Sequence, residues 1–259
     1  MNKIALITGA STGIGRELAV EFAKDNVDVI LVARSAQKLR ELALFLEKTY
    51  SIRSWVFIKD LSTPSSATEL FNDIIANGLR VDYLVNNAGF GDYKLFVDSN
   101  LQKQEDMINL NVLTLTKLTH HFTNEMKKVG SGFIMNVAST ASFQPGPTMS
   151  VYFATKHYVL AFTEAIAEEL KPFNIKVSAL CPGPTESEFG SASGFKLIEN
   201  AKKNNLPTSA DVAKFAYAKM KKGKTVYVHG FWNRIQANLV RFVPRNWVTK
   251  ITYMKLKEN

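Results

Sequence analysis

A chain of 259 residues with 46% hydrophobic and 21% charged side chains is long enough for a substantial core and lacks the polar, aromatic-poor character of a disordered protein. Its net charge of +9 is unevenly spread: residues 219–259 hold ten Lys and Arg against one acid, Glu258, and ten minus one accounts for the whole excess. The balanced remainder excludes a basic face for nucleic acid and marks the tail as a separate problem. A single cysteine, Cys181, excludes an intrachain disulfide, and it combines with four scattered histidines in no metal-ligand spacing. A reducing, cytoplasmic setting without a metal is expected.

In chain order, apolar runs bounded by turn residues predict strands over 3–8, 27–33, 53–58, 83–86, 132–137 and 176–180, with a seventh over 225–228. The opening MNKIALITGA has too short an apolar run for a signal peptide and reads as the first strand. No eighteen consecutive apolar residues occur, so no membrane span is expected. Amphipathic stretches separate the strands, which predicts an α/β protein: a single doubly wound, Rossmann-type parallel sheet flanked by helices. Ligands of such sheets sit outside the carboxyl ends of the strands. The sheet domain is expected over 1–228, with 229–259 a basic amphipathic extension and not an independent domain.

The first strand runs into Thr8-Gly9-Ala10-Ser11-Thr12-Gly13-Ile14-Gly15 and then a helical pattern from Arg16. Glycines there let backbone N–H groups approach a pyrophosphate at a helix amino terminus, where the dipole also favours an anion. The second strand ends Val32-Ala33-Arg34-Ser35, with no acid to hold a ribose 2′-hydroxyl. Arg34 suits a 2′-phosphate instead, which favours NADP(H) over NAD(H); otherwise it is a solvated loop arginine. Asn111 is a weak helix former inside the apolar-periodic run 107–128, explained by solvent exposure or by an internal hydrogen bond. Ser139 follows the fifth strand, either capping a loop or placed to hold a carbonyl. Tyr152 and Lys156 stand four apart in a predicted helix over 151–171, on one face. A nearby ammonium favours phenolate and is expected to lower the Tyr152 pKa from about 10.

Together these residues resemble the short-chain dehydrogenase/reductase family, over residues 3–228. The likeness rests on the glycine motif, Asp60-Leu61, Asn86-Asn87-Ala88-Gly89, Asn111, Ser139, the Tyr152/Lys156 pair and Pro182-Gly183, all in the family's order and spacing. It implies that Tyr152 exchanges a proton with the substrate oxygen. Lys156 would lower the tyrosine pKa and hold the nicotinamide ribose, Ser139 would orient the carbonyl, and Asn111 would support a water leading to Lys156. Gly9, Ser11, Thr12, Gly13, Ile14 and Gly15 would bind the pyrophosphate side of the cofactor. Asp60 and Leu61 would lie near the adenine, Asn87, Ala88 and Gly89 would line the cleft, and Pro182, Gly183 and Thr185 would flank the nicotinamide. The stretches holding Asn111 and Tyr152 would pair subunits in a homodimer or homotetramer.

The resemblance places substrate contacts in 140–150 and 185–206, which hold Phe143, Pro145, Pro147, Phe189, Phe195, Leu197 and Ile198. These either line a pocket for an apolar carbonyl or alcohol, or pack a lid. In the tail, Trp232, Ile235, Leu239, Val243, Trp247, Ile251 and Met254 recur every three or four residues, while Arg234, Arg241 and Arg245 fall on the other side. Two helices meeting near Pro244 are expected. They either lie peripherally on an anionic membrane or pack on protein. The rival functions are a nucleotide-binding regulator or scaffold without turnover, and an isomerase or dehydratase that consumes no cofactor.

Overall fold

The computed structural model describes residues 2–195 and 205–257. Seven strands, β1 (Ile4–Thr8), β2 (Asp28–Ala33), β3 (Ser54–Ile58), β4 (Tyr83–Asn86), β5 (Gly132–Val137), β6 (Ile175–Cys181) and β7 (Val226–Val228), form one sheet in the order β3-β2-β1-β4-β5-β6-β7. Every pairing is parallel. The doubly wound expectation holds, with strand boundaries moved by a residue or two.

Helices cover both faces because both faces of each central strand are apolar. Along β1, Ile7 packs with Leu18, Phe22, Leu39 and Val212, from helices α1 (Gly13–Lys24), α2 (Ala36–Tyr50) and, after the undescribed stretch, α8 (Ser209–Met220). Its neighbour Leu6 points the other way and packs with Leu70, Leu118, Phe122 and Met126, from α3 (Ser66–Ala76) and α5 (Leu115–Val129). That is the period-two alternation of a strand expressed twice over.

The run expected as one helix over 107–128 is not regular. Helix α4 (Leu101–Ile108) passes through a π-turn (Asn109–Thr114) into α5. The wider turn takes up an extra residue, and Asn111 is buried within it. Helix α6 (Ser150–Glu169) follows β5 and carries Tyr152 and Lys156. A short helix α7 (Phe189–Ser193) follows β6.

The tail divides as its proline requires: α9 (Phe231–Leu239) and α10 (Arg245–Lys257) meet at Pro244 across a 3-10 turn (Val240–Phe242). The side that packs inward is not the large apolar stripe. Ala237, Val248, Thr252 and Leu256 are buried, whereas Trp232, Leu239, Trp247, Ile251 and Met254 face outward. No helix among the described residues is long and apolar enough to cross a membrane.

Phe22 shows how one face closes. It is fully buried with ring centroids 5.2 Å from Tyr83 and 4.9 Å from Tyr217, so it joins α1 to β4 and α8. Phe22→Ala should lower the unfolding free energy by about 3–5 kcal/mol, read as a lower urea midpoint at unchanged slope.

Candidate active site

The strand order reverses between β1 and β4, where the crossover helices leave to opposite sides and a crevice opens at the strand ends. Thr8, the last residue of β1, ties its rim together. Its hydroxyl accepts from the backbone N–H groups of Asn87 and Ala88, both at 3.0 Å, and donates to the Val85 carbonyl at 3.3 Å. The Asn87 amide returns the contact, donating to the carbonyls of Thr8 at 3.0 Å and Gly9 at 3.2 Å.

This closeness is what the glycines permit. A Cβ on Gly9 would lie 2.9 Å from the Ala88 Cα, and one on Gly15 would lie 2.4 Å from the Gly9 carbonyl oxygen. Gly9 also sits at φ +65, in the left-handed region. Thr12 caps α1 with extended backbone and no side-chain hydrogen bond, so the first-turn amides are left for a ligand in the crevice. The cradle therefore fits a dinucleotide's pyrophosphate.

The crevice deepens into a cavity of about 960 Å³, large enough for a nucleotide and a substrate. At its rim it is lined by Gly9, Ser11, Thr12, Gly13, Ile14, Arg34, Asp60, Leu61, Asn87, Ala88 and Gly89, and deeper by Tyr152, Lys156, Pro182, Gly183 and Thr185. Gly15 does not line it; that glycine is buried and serves the close approach of turn to helix. Arg34 is largely exposed and reaches Asp60 at 3.8 Å. Burial pushes the Asp60 carboxyl up, but hydrogen bonds from Ser62 and the Arg34 charge outweigh it and hold the pKa below the ordinary carboxylate value.

Two charged residues missed in the sequence stand at the same rim. Lys38, on α2, pairs with Glu188 at 2.7 Å across the crevice, and Lys59 pairs with Asp73 at 2.9 Å. Lys38 lies in the first turn of α2, four residues after Arg34, and that closeness in sequence was the available signal.

At the inner end, α6 runs beside the carboxyl end of β5. Lys156 is buried and donates to the Val137 carbonyl at 2.7 Å, while the Ser142 hydroxyl donates to the Lys156 carbonyl at 2.7 Å. Ser139 caps the 3-10 turn Thr140–Phe143, accepting from the Ala141 N–H at 3.1 Å. Asn111 lies just behind the cavity wall. It accepts from the Phe90 N–H at 3.2 Å and donates to the Phe90 carbonyl at 3.0 Å and the Thr155 hydroxyl at 3.1 Å. Thr155 in turn donates to the Tyr152 carbonyl at 2.7 Å. Of the two explanations for Asn111, exposure fails and the internal hydrogen bond holds.

The low Tyr152 pKa expected from spacing is not what the geometry gives. Burial pushes the phenol up to about 12, against a smaller opposing effect of the Ser139 hydroxyl. The Lys156 ammonium is turned to the Val137 carbonyl, 5.8 Å from the Tyr152 ring centre, and burial pulls its own pKa down to about 8. At neutral pH Tyr152 is a phenol and Lys156 a cation.

The expected substrate contacts divide. Phe189 and Phe195 line the cavity, but Phe143 packs against the cluster around Leu160 under α6, and Pro145 and Pro147 stay off the wall. Leu197 and Ile198 lie outside the described residues. Met149, Phe153 and Phe90 complete the apolar lining. Asn233, Gln236 and Leu256 reach it from the tail, a link that periodicity gave no sign of.

Residues 3–195 match the family model described as short chain dehydrogenase. The chain belongs to the short-chain dehydrogenase/reductase family. It is an oxidoreductase with a nicotinamide-cofactor fold. Among its relatives, the 3-oxoacyl-(acyl-carrier-protein) reductase of Aquifex aeolicus is 30% identical over 72% of this chain and 75% of its own. A short-chain dehydrogenase from Sphingobium yanoikuyae, solved in complex with NADPH, is 27% identical, with a TM-score of 0.83 over 94% of this chain and 97% of its own. A 7β-hydroxysteroid dehydrogenase is 25% identical, with a TM-score of 0.85 over 96% of each chain.

Thr8→Val keeps the shape of this dehydrogenase's rim but removes the acceptor for two amides. It should cost about 1–3 kcal/mol of stability, measurable by chemical denaturation. Lys156 gives a pH signature. Its folded pKa of about 8 lies below the ordinary 10.5, so from pH 8 to 10.5 the unfolded chain binds more protons and stability rises with pH. Urea midpoints at pH 7 and pH 9.5 should show this rise in the wild type, and Lys156→Met should flatten it.

Proposed function

We propose that this dehydrogenase is an NADPH-dependent reductase of an apolar ketone, aldehyde or oxo-acyl compound. The observation that carries the reading is a single cavity with Arg34 and Lys38 at its outer rim and Ser139, Tyr152 and Lys156 at its inner end. The two cations suit a 2′-phosphate, which NADP(H) has and NAD(H) lacks. The NADPH complex of the Sphingobium relative supports the same choice.

Bound at the cradle, the cofactor supplies a hydride; the chain's own residues place the substrate and handle the proton. Ser139 donates to the carbonyl oxygen and holds it at the nicotinamide end. Tyr152, a phenol at working pH, donates its proton to that oxygen as negative charge develops on it. The Lys156 cation stabilises the phenolate that remains and holds the ribose. Asn111, besides the water-holding role implied by the resemblance, ties the Phe90 loop to the turn of α6 that carries Tyr152. A phenol kept protonated by burial is in the form that the acid of a reduction needs. Pro182, Gly183 and Thr185 close the nicotinamide side.

Walls formed by Phe90, Met149, Phe153, Phe189 and Phe195 select an apolar substrate body, in keeping with oxo-acyl and steroid relatives. Exposed Ile108, Leu113 and Tyr158, on the stretches holding Asn111 and Tyr152, support a homodimer or homotetramer. The sheet domain is read as 1–228, with 229–259 an extension that completes its cavity.

Loss of NADPH absorbance should be followed against apolar ketones, aldehydes and oxo-acyl thioesters. NADPH-selective turnover is expected; tight NADPH binding without turnover on every class would favour the binding-only rival. Tyr152→Phe should abolish turnover and leave NADPH affinity nearly intact, as titrated by fluorescence. Arg34→Ala should weaken NADPH about tenfold or more, from loss of a charged hydrogen bond of ~1.5–3 kcal/mol, with little effect on NADH. Equal losses for both cofactors would remove Arg34 from the phosphate site.

A further inference from the structure

The two tail helices are built inside out for helices that belong to a protein core. On α9 the inward side is formed by Ala237 and the cavity-lining Asn233, and on α10 by Val248, Thr252 and Leu256. The large apolar side chains take the opposite sides of both wheels: Phe231, Trp232 and Leu239 on α9, and Trp247, Ile251 and Met254 on α10. Phe242 stands between them at the turn. The exposures decide the matter: Trp232 is 73% exposed, Trp247 66% and Phe242 84%. A helix pair stabilised only by its own domain would bury its aromatics and expose its alanine and threonine.

The charges say what covers this face. Between residues 229 and 257 there are six Lys and Arg and no acid: Arg234, Arg241, Arg245, Lys250, Lys255 and Lys257. All six are exposed. By helical position Arg234 borders Phe231 on α9, and Lys250, Lys255 and Lys257 border Ile251 and Met254 on α10, so the outer face is apolar along its middle and cationic along its edges. A second copy of this chain would bring six more positive charges against these in a two-fold contact, and lysine is depleted at the centres of protein interfaces. A surface with anionic headgroups above an apolar layer matches both parts at once, and tryptophan favours that boundary.

We propose that the outer face of α9 and α10 docks the protein on an anionic lipid bilayer. Trp232, Phe242 and Trp247 enter the headgroup–acyl boundary, and the flanking Arg and Lys side chains pair with lipid phosphates. The inner side of the same helices forms part of the cavity wall through Asn233 and Leu256, with Gln236 reaching the wall from the edge of α9, and the Tyr93 hydroxyl donates to the Leu256 carbonyl. Docking therefore sets the cavity at the membrane surface. The contact itself needs no turnover, so it stands or falls separately from the reductase reading.

The test uses the full chain with vesicles of phosphatidylcholine, alone or mixed with phosphatidylglycerol. Co-sedimentation is expected with the mixed vesicles only, with a blue shift of tryptophan emission and quenching by brominated acyl chains. Raising salt from about 0.1 M to about 1 M, which shortens the screening length from ~10 to ~3 Å, should release most of the protein. Arg241→Gln should weaken binding about fivefold, equivalent to ~1 kcal/mol for one cation at the surface. The triple variant Trp232→Ser, Phe242→Ser, Trp247→Ser should lose vesicle binding; since these side chains are largely exposed, its thermal midpoint should stay near that of the wild type. Failure to bind mixed vesicles would overturn the proposal, as would binding that the triple variant retains. Sedimentation velocity supplies the remaining outcome: if the substitutions shift the oligomeric state and the wild type binds no vesicles, the face belongs to a second copy and the membrane proposal is wrong.

Discussion

One side chain holds the two halves of this sheet in the relation that everything else uses. Thr8 ends β1 where the sheet reverses its winding, and its hydroxyl serves two amides and one carbonyl of the strand-end segment beside it. A buried hydroxyl with three partners in a low-dielectric setting is a strong constraint. It fixes the loop after β4 against the glycine turn, and so sets the width of the crevice. Gly9 is needed because the hydroxyl pulls two backbones to a separation that no Cβ would tolerate, a Cβ there lying 2.9 Å from the Ala88 Cα.

The inner end of the cavity depends on a second chain of contacts, through the π-turn. Asn111 reaches the Phe90 loop on one side and Thr155 on the other, and Thr155 reaches the backbone of Tyr152. The proposed proton donor is thus held through hydrogen bonds that begin on a different helix. Burial then sets the protonation states. The same desolvation that keeps the phenol neutral lowers the ammonium pKa toward neutrality, because burial opposes charge whatever its sign.

Much of this was legible in the sequence, for identifiable reasons. Strands buried on both faces are continuous apolar runs, so β4 and β5 could be placed to the residue, and the glycine turn shows itself because backbone approach admits few residue types. Residues at fixed short spacing, such as Tyr152 and Lys156, carry their geometry with them. What periodicity cannot supply is the surroundings. It read 107–128 as one helix because a π-turn keeps an apolar pattern nearly intact. It placed Lys156 near Tyr152 but not the Val137 carbonyl that draws the ammonium away. It found the amphipathic stripe of the tail without its direction, since a wheel shows that one side differs but not which side meets the domain. Lys38 and Glu188 are 150 residues apart, and only the fold brings them together.

The π-turn also governs how the chain can change in length. It holds one residue more than a regular helix needs, so a deletion within Asn109–Thr114 would let the backbone relax to ordinary helical hydrogen bonding. Because the wider turn already absorbs the rotation of about 100° that one residue adds, the relaxed helix would keep Gln104 and Met107 of α4, and Leu118 and Phe122 of α5, on the faces they now bury. Insertions and deletions are ordinarily absorbed in loops. Here a segment inside a helix could lose a residue as a loop does, provided that Asn111 keeps its place.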